Sequence, residues 1–309
     1  MDPTDDIMIK YKNIAASLKK RFLRKPNLSE GADHFSREAR ILRDEECFEY
    51  SAFFSLAQAR CEHTLPNYPG EADALICAAQ SFLEAHMLET ELNCPSFREN
   101  LLAASNCFDH AIRVYIENNE RCLAASLCIQ MGDTLRKLHL PDEAINHYEN
   151  AMEHQKGNVT VVSQCFRDIA SCNLEIKNYE TALKTLTDLA TYLRKNGHKS
   201  SSGKVLGESR DILCEAEINR ILILMLTEPM QSRLHPANAS LMETYSWLAE
   251  DYERDTFLPK NMFLLLQSAF MANQARDFEA LSDLSQELSP FLNVEQKQLF
   301  SLILSEHCR

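Results

Sequence analysis

Basic, histidine and cysteine side chains are the groups in this sequence whose type and spacing could carry chemistry. A cationic block near the start of the chain could bind an acidic protein surface, an anionic membrane or a nuclear import receptor. It consists of Lys19, Lys20, Arg21, Arg24 and Lys25. A solvated helix face and contact with the chain's own acidic body are the alternatives. The sequence leaves all of them open.

Metal and catalytic sites find little support in the residue spacing. His147 and His154 are seven residues apart, without a Cys or acidic ligand at supporting spacing. The chain has no H-E-x-x-H, Walker A or nucleophile-elbow motif. Its 11 Cys form no C-x2-C pair, and Cys165 and Cys172 share one helical face, as core residues often do. We therefore predict reduced thiols and no catalytic, metal or cofactor site, so the protein is not expected to be an enzyme.

Charge and hydropathy narrow the class of partner. The net charge is −13, which opposes binding to nucleic acid phosphates. Residues 1–25 contain seven basic residues and three Asp, so the remaining 25 basic and 42 acidic residues give the rest of the chain a charge of −17. No apolar run approaches the ~20 residues of a membrane span. We expect a soluble cytoplasmic protein whose acidic body faces solvent or a basic partner.

Helical periodicity accounts for the elements that would position these groups. The first helix is predicted from Ile7 to Arg24, because its apolar residues fall on one face and Pro26 follows. Only 7 Gly and 10 Pro interrupt the chain, too few for a many-stranded sheet protein. Two capping-box pairs, Ser96 with Glu99 and Asn293 with Gln296, indicate helix starts.

An internal repeat indicates how the helices are arranged. The pattern Ala-x3-aromatic-x2-Ala occurs twice, 40 residues apart, and a degenerate third copy follows. Small residues at these positions allow the two helices of a hairpin to approach closely. The repeat positions are Ala104, Phe108 and Ala111, then Gly132, Ala144, Tyr148 and Ala151, then Ala182, Leu186 and Leu189. We predict an all-α, tetratricopeptide-like superhelix of helical hairpins, with an ordinary helical bundle as the alternative.

The chain is expected to have four parts. Residues 1–26 form a basic amphipathic helix, 27–196 hold the tetratricopeptide-like repeats, 197–207 are a loop or linker, and 208–309 continue or cap the solenoid. In the last part, Tyr245, Trp247 and Phe263 could anchor a partner or pack in the core. The apolar helix from Ile212 to Leu226 requires burial, either within the fold or beneath a partner.

Several blocks of this sequence also carry a family resemblance. They are KKRFLRKPN at 19–27, Tyr-Ser-Trp at 245–247, FLLLQS at 263–268, and the residues Pro290, Glu295, Gln296, Leu299 and Glu306. In these blocks, and in their order along the chain, the sequence resembles the forty-kilodalton huntingtin-associated protein family, also called the factor VIII intron-encoded proteins. A short Ser-rich loop stands where vertebrate members carry a long Pro-rich insertion.

The resemblance implies a soluble-NSF-attachment-protein-like fold without enzymatic activity. It further implies a stable, stoichiometric complex with huntingtin, in which the chain is one monomer of a heterodimer, clamped between helical-repeat domains. Members are linked to early endosomes, vesicle trafficking and a Rab GTPase. The alternative is a transient endosomal adaptor that acts through a Rab GTPase or the membrane-fusion machinery. A nuclear pool is expected if the basic block acts as an import signal.

Overall fold

Helices make up the regular secondary structure of the described chain. The computed structural model describes residues 3–18, 27–199, 205–229, 234–246 and 257–307. Within these ranges the only β pairing is an isolated bridge between Lys199 and Val205. The all-α prediction is therefore confirmed. The helices are α1 (Pro3–Ser17), α2 (Leu28–Asp44), α3 (Phe48–Thr64), α4 (Tyr68–Glu91), α5 (Glu99–Glu117), α6 (Arg121–Lys137), α7 (Pro141–His154), α8 (Val159–Glu175), α9 (Tyr179–Asn196), α10 (Glu208–Thr227), α11 (Pro236–Tyr245), α12 (Lys260–Ala275), α13 (Phe278–Leu288) and α14 (Val294–His307), with a 3₁₀ turn at Ser289–Phe291.

The chain divides into two compact units. Unit 1 comprises residues 1–138 and 150–155, and unit 2 comprises residues 139–149 and 156–309. Helices α1 to α6 belong to unit 1 and α8 to α14 to unit 2, while α7 contributes residues to both. The predicted division at residues 26, 196 and 207 stays a prediction.

In unit 1, each helix packs mainly on the next helix along the chain, from α1 through α6. Such nearest-neighbour packing is typical of helical repeats. The rings of Tyr11, Phe35 and Phe54 join α1, α2 and α3, with centroids 5.3–5.9 Å apart. An ion pair between Arg43 and Glu84 then links α2 to α4, the first helices of successive hairpins.

Helix ends in both units share one hydrogen-bond pattern. After α2, α4, α5, α8 and α12, an amide donates to the carbonyl five residues earlier, as in Cys47 to Leu42 at 2.8 Å. The residue before that amide is left-handed but is not glycine; these residues are Glu46, Asn93, Asn119, Lys177 and Arg276. This Schellman arrangement satisfies helix-end carbonyls and reverses the chain within a few residues.

The first helix differs in extent from its prediction. It begins at Pro3 and ends at Ser17, rather than running from Ile7 to Arg24. Its end is marked by a hydrogen bond from Leu18 N to Ala15 O at 3.3 Å, which spans one residue fewer than an α-helical bond. Residues 19–26 lie outside the described residues.

In unit 2, α10 is the central helix. It packs against α9, α11, α12 and α14, and the chain also pairs α8 with α9, α12 with α13 and α13 with α14. Thirteen residues of α10 are buried, including Ile221, Leu222 and Ile223 at 0% exposure. The apolar helix predicted at Ile212–Leu226 is therefore buried within the fold. The C-terminal helices α12 and α14 both pack on α10. The predicted role of residues 208–309 in continuing or capping the solenoid stays a prediction.

Gly197 ends α9 where the chain has no room for a side chain. A Cβ at this position would lie 2.5 Å from the carbonyl oxygen of Leu193 and 3.2 Å from Cβ of Ser209. We expect Gly197→Ala to lower the free energy of unfolding by about 1–3 kcal/mol, the usual cost of overpacking. Chemical denaturation measures this change. Gly157→Ala is the matched control, because a Cβ there meets no atom within 4 Å; equal midpoints for the two variants would contradict the prediction.

Candidate protein-binding surfaces

Six of the residues predicted to bind a partner lie outside the described part of the chain. They are Lys19, Lys20, Arg21, Arg24, Lys25 and Trp247. Their roles, whether in contact with a partner, a membrane or the chain's own acidic body, stay predictions.

Tyr245 and Phe263 are core residues. Their exposed fractions are 0% and 2%, and their ring centroids are 4.8 Å apart. The Tyr245 hydroxyl donates a hydrogen bond to Oε1 of Glu217 at 2.8 Å. Both rings are packed in the core in this conformation, which is one of the two alternatives that the sequence left open. Direct contact of these residues with a partner stays a prediction.

Buried polar side chains of α10 anchor the elements that surround it. Besides Tyr245, Glu217 accepts a hydrogen bond from the backbone amide of Phe257 at 3.2 Å. Asn219 accepts one from the side-chain amide of Gln296, on α14, at 2.9 Å. These contacts fix residues that are 40 and 77 positions away in the sequence. They explain why an apolar helix retains polar residues: each one specifies a neighbour.

Arg220 is a buried cation on α10 that donates three hydrogen bonds. Its Nε and Nη2 atoms donate to Oδ1 of Asn238 at 3.0 and 2.6 Å, and Nη2 also donates to the Ala237 carbonyl. Burial lowers the pKa of Arg220 to about 10, opposed by the nearby carboxylate of Glu217. The guanidinium is still protonated at neutral pH, so its hydrogen bonds tie the start of α11 to α10. Sequence inspection missed this group, although a charged residue within an apolar helix is a recognisable signal.

The repeat positions lie inside the fold. Six of them, on α5 and α7, have 0% exposure: Ala104, Phe108, Ala111, Ala144, Tyr148 and Ala151. Gly132 is also buried, on α6. On α9, Ala182, Leu186 and Leu189 are buried in the core of unit 2. These residues shape the fold and are inaccessible to a partner; their proposed role in hairpin packing stays a prediction.

Apolar side chains on the surface are the candidates for partner contact that the sequence did not identify. Phe97, between α4 and α5, has an exposed fraction of 90%. Leu92 (65%), Leu102 (60%) and Phe53 (53%) are also exposed in unit 1. In unit 2, Val294 (74%) and Phe291 (56%) are the corresponding cases. Periodicity could not reveal Phe97, because it lies in a short connection outside any helix.

Two open grooves provide polar surface. In unit 1, a groove of about 350 Å³ contains Glu71, which faces His63 Nδ1 at 3.0 Å and His110 Nε2 at 3.8 Å. In unit 2, a groove of about 450 Å³ contains the ion pair between Arg276 and Glu228 at 2.9 Å. Each groove thus holds polar side chains that already contact one another.

The described residues contain no cluster of three or more His, Cys, Asp or Glu side chains that could bind a metal ion. Nor does this part of the chain include a helix long and apolar enough to span a membrane. Cys165 and Cys172 have 0% exposure on α8. Burial raises the pKa of Cys107, Cys128 and Cys214 to about 11.

Comparison with known proteins gives two kinds of match. The family model for the soluble NSF attachment protein, SNAP, matches residues 17–205. The chain is also similar to the 40-kDa huntingtin-associated protein of Mus musculus, with 33% identity over 352 aligned positions that cover 97% of this chain and 92% of the relative. The protein of the same name from Rattus norvegicus is 32% identical over the same coverage. Because the alignment is longer than the 309 residues of this chain, it contains insertions in the relatives.

Cys107, Cys128 and Cys214 should be among the least reactive cysteines of the native protein. A pKa of about 11 leaves little thiolate at neutral pH, and Cys107 and Cys128 are also buried. We expect iodoacetamide at pH 7.5 to modify the exposed Cys94 and Cys122 well before Cys107, Cys128 and Cys214. Peptide mass spectrometry over a time course measures the order. Equal modification rates for these five thiols in the native protein, unchanged by denaturation, would contradict the predicted order.

Tyr245 should contribute to stability and not to partner affinity. Tyr245→Phe deletes the hydroxyl that donates to the buried carboxylate of Glu217. We expect a loss of about 1–3 kcal/mol in the free energy of unfolding, because a buried acceptor loses its partner. Tyr68→Phe is the matched control, since that half-exposed ring lines a surface groove. Chemical denaturation and a binding titration together test the assignment; weaker partner binding at unchanged stability would refute it.

Proposed function

The chain belongs to the family of 40-kDa huntingtin-associated proteins, and from this membership we propose that it is a non-catalytic adaptor that forms a stable, stoichiometric complex with huntingtin. The carrying observation is the extent of the similarity, which includes 97% of this chain and 92% of the mouse relative. A match of that extent concerns the whole helical body. A short shared motif would support only a local contact.

The charge and surface of the chain support such a role. A net charge of −13 favours a partner with basic surface, since complementary charge speeds association and rejects wrong partners. Exposed apolar residues, Phe97 above all, supply the contact area that a durable interface requires. In this proposal the chain is one monomer of a heterodimer in the cytoplasm.

A second function is favoured by the family-model match over residues 17–205. The matched family is named for attachment to NSF, so a transient adaptor of early endosomes, acting through a Rab GTPase or the membrane-fusion machinery, is the alternative. The two roles predict different behaviour of the isolated chain. A stoichiometric subunit exposes apolar surface and aggregates without its scaffold, whereas a transient adaptor is a stable monomer.

Affinity purification at natural abundance, with quantification of every recovered protein, distinguishes the two. Near-equimolar huntingtin supports the stable complex, and its recovery with early-endosomal membranes would add the proposed location. Recovery of huntingtin only in trace amounts, together with a GTP-loaded Rab protein or fusion components, would favour the transient adaptor. Recovery of none of these would refute both roles.

Salt should affect how fast the complex forms more than how long it lasts. At about 1 M salt the Debye length falls to about 3 Å, so long-range attraction to the acidic chain is screened and association slows. Apolar burial is not screened, and a stable interface of more than about 2,000 Å² should persist. We expect dissociation to remain slow near 1 M salt, as measured by dilution and size-exclusion chromatography. Loss of the complex within minutes at moderate salt would show a mainly electrostatic contact.

A further inference from the structure

The connection between α4 and α5 carries an apolar surface that the fold does not cover. Phe97 is 90% exposed, Leu92 is 65% exposed and Phe53, on the neighbouring α3, is 53% exposed. We call these three residues the Phe97 corner. A phenylalanine that is almost fully exposed is costly in water and is common where proteins bind one another.

The backbone turn that carries Phe97 is ordered by its own hydrogen bonds. The Phe97 amide donates to Oε2 of Glu99 at 3.1 Å, and the Arg98 amide donates to Oγ of Ser96 at 3.1 Å. Arg98 itself is left-handed, with φ of 64°. The Ser96 hydroxyl also approaches Glu99 Oε2, at 3.4 Å. The ring is therefore held outward before any partner arrives, which reduces the entropy lost on binding.

A polar contact joins α3, α4 and α5 near the corner. Nδ2 of Asn100, on α5, donates to Oε1 of Glu89 on α4 at 2.8 Å and approaches Oε1 of Glu49 on α3 at 3.5 Å. Leu92 follows Glu89 by three positions, Phe97 precedes Asn100 by three, and Phe53 follows Glu49 by four. Phe53 lies one helical turn from Glu49 on α3, whereas Leu92 and Phe97 belong to the connection between α4 and α5. The start of α3, the end of α4 and the start of α5 therefore meet close to this connection.

Two buried polar atoms at this place lack hydrogen bonds. Nδ1 of His86 and Oε2 of Glu89 are buried without a hydrogen-bond partner among the described residues. They face each other at 3.8 Å, which is too long for a hydrogen bond. A buried acceptor without a donor is destabilising, and a cationic side chain approaching the corner would supply one.

The charges around the corner are mainly negative. Glu49, Glu91 and Glu99 are exposed, and Glu89 is partly buried. Arg98 and His86 are the basic side chains of the same turn and helix end. Such a rim repels anionic lipid headgroups and also a second copy of this acidic chain. It attracts a protein surface that carries Lys or Arg.

We propose that the Phe97 corner is a docking surface that inserts Phe97 into an apolar cleft, rimmed by Lys and Arg, of a scaffold protein. The inference rests on the proposed function, because it takes huntingtin as that scaffold. Phe97 fills the apolar cleft, Leu92 and Phe53 flank it, and a basic residue of the scaffold donates to Glu89. Aromatic anchors in desolvated clefts dominate the energetics of many interfaces.

The test measures dissociation of the purified complex between the full chain and huntingtin of the same species. We expect Phe97→Ser to speed dissociation by about 30-fold or more, the range of an interface hot spot. The melting temperature of the Phe97→Ser chain should match that of the wild type, because the Phe97 ring is 90% exposed. Ile116→Ser is the matched control: Ile116 is 39% exposed and lies at the other end of α5, roughly 25 Å along the helix. It should change the rate less than about threefold.

Two further arms identify the chemistry of the contact. Glu91→Lys should slow association at low salt while leaving dissociation nearly unchanged, as expected for a charge at the rim of an interface. Vesicles of phosphatidylcholine, with and without phosphatidylserine, test a membrane as the alternative occupant, and we expect no binding that depends on Phe97.

The outcomes separate the inference from the proposed function. If the wild-type chain forms no complex with huntingtin, both are refuted. If the complex forms and Phe97→Ser dissociates like the wild type, or no faster than Ile116→Ser, the docking surface alone is refuted. Phe97-dependent binding to vesicles would assign the corner to a membrane and overturn the protein partner.

Discussion

Burial of α10 is the constraint on which unit 2 depends. The helix is apolar around most of its circumference, so it must be enclosed on several sides to be stable in water. Hydrophobic burial is not directional, and by itself it would allow many arrangements of the surrounding helices. The buried polar residues remove that freedom: Glu217 and Arg220 have hydrogen-bond partners on α11, and Asn219 has one on α14. An arrangement that left Glu217 or Arg220 without a partner would be several kcal/mol less stable, by the usual cost of an unpaired buried charge.

The helical secondary structure and the burial of the repeat positions could be predicted from the sequence, because both depend on the spacing of residues along the chain. The small and aromatic residues around Phe108 and Tyr148 lie in the core, on the helices where their spacing suggested they would be. Helix ends were harder. Left-handed residues such as Glu46, Lys177 and Arg276 are not the glycines that normally mark a helix end. Their conformation follows from hydrogen bonds to the preceding turn, which the composition of the turn does not reveal.

The sequence could not decide whether the candidate binding residues are accessible, because accessibility depends on tertiary contacts. Tyr245 and Phe263 have the side chains of typical interface anchors, but they are covered by residues distant in sequence; Glu217 is 28 positions from Tyr245. Aromatic type is compatible with a core or an interface, and only tertiary contacts decide between them. Phe97 illustrates the converse. Nothing in its local sequence distinguishes it from a core phenylalanine, yet a hydrogen-bonded turn directs it to solvent.

The return of α14 to α10 also has a consequence for biosynthesis. Unit 1, in which helices pack mainly on their immediate predecessors, can fold progressively as it leaves the ribosome. Unit 2 cannot, because Gln296 reaches Asn219 across 77 residues. At a translation rate of roughly 5–20 residues per second, the apolar surface of α10 waits about 4–15 seconds for its last covering helix. During that interval the exposed apolar surface is prone to aggregation, and any premature stop codon before α14 leaves this surface permanently uncovered.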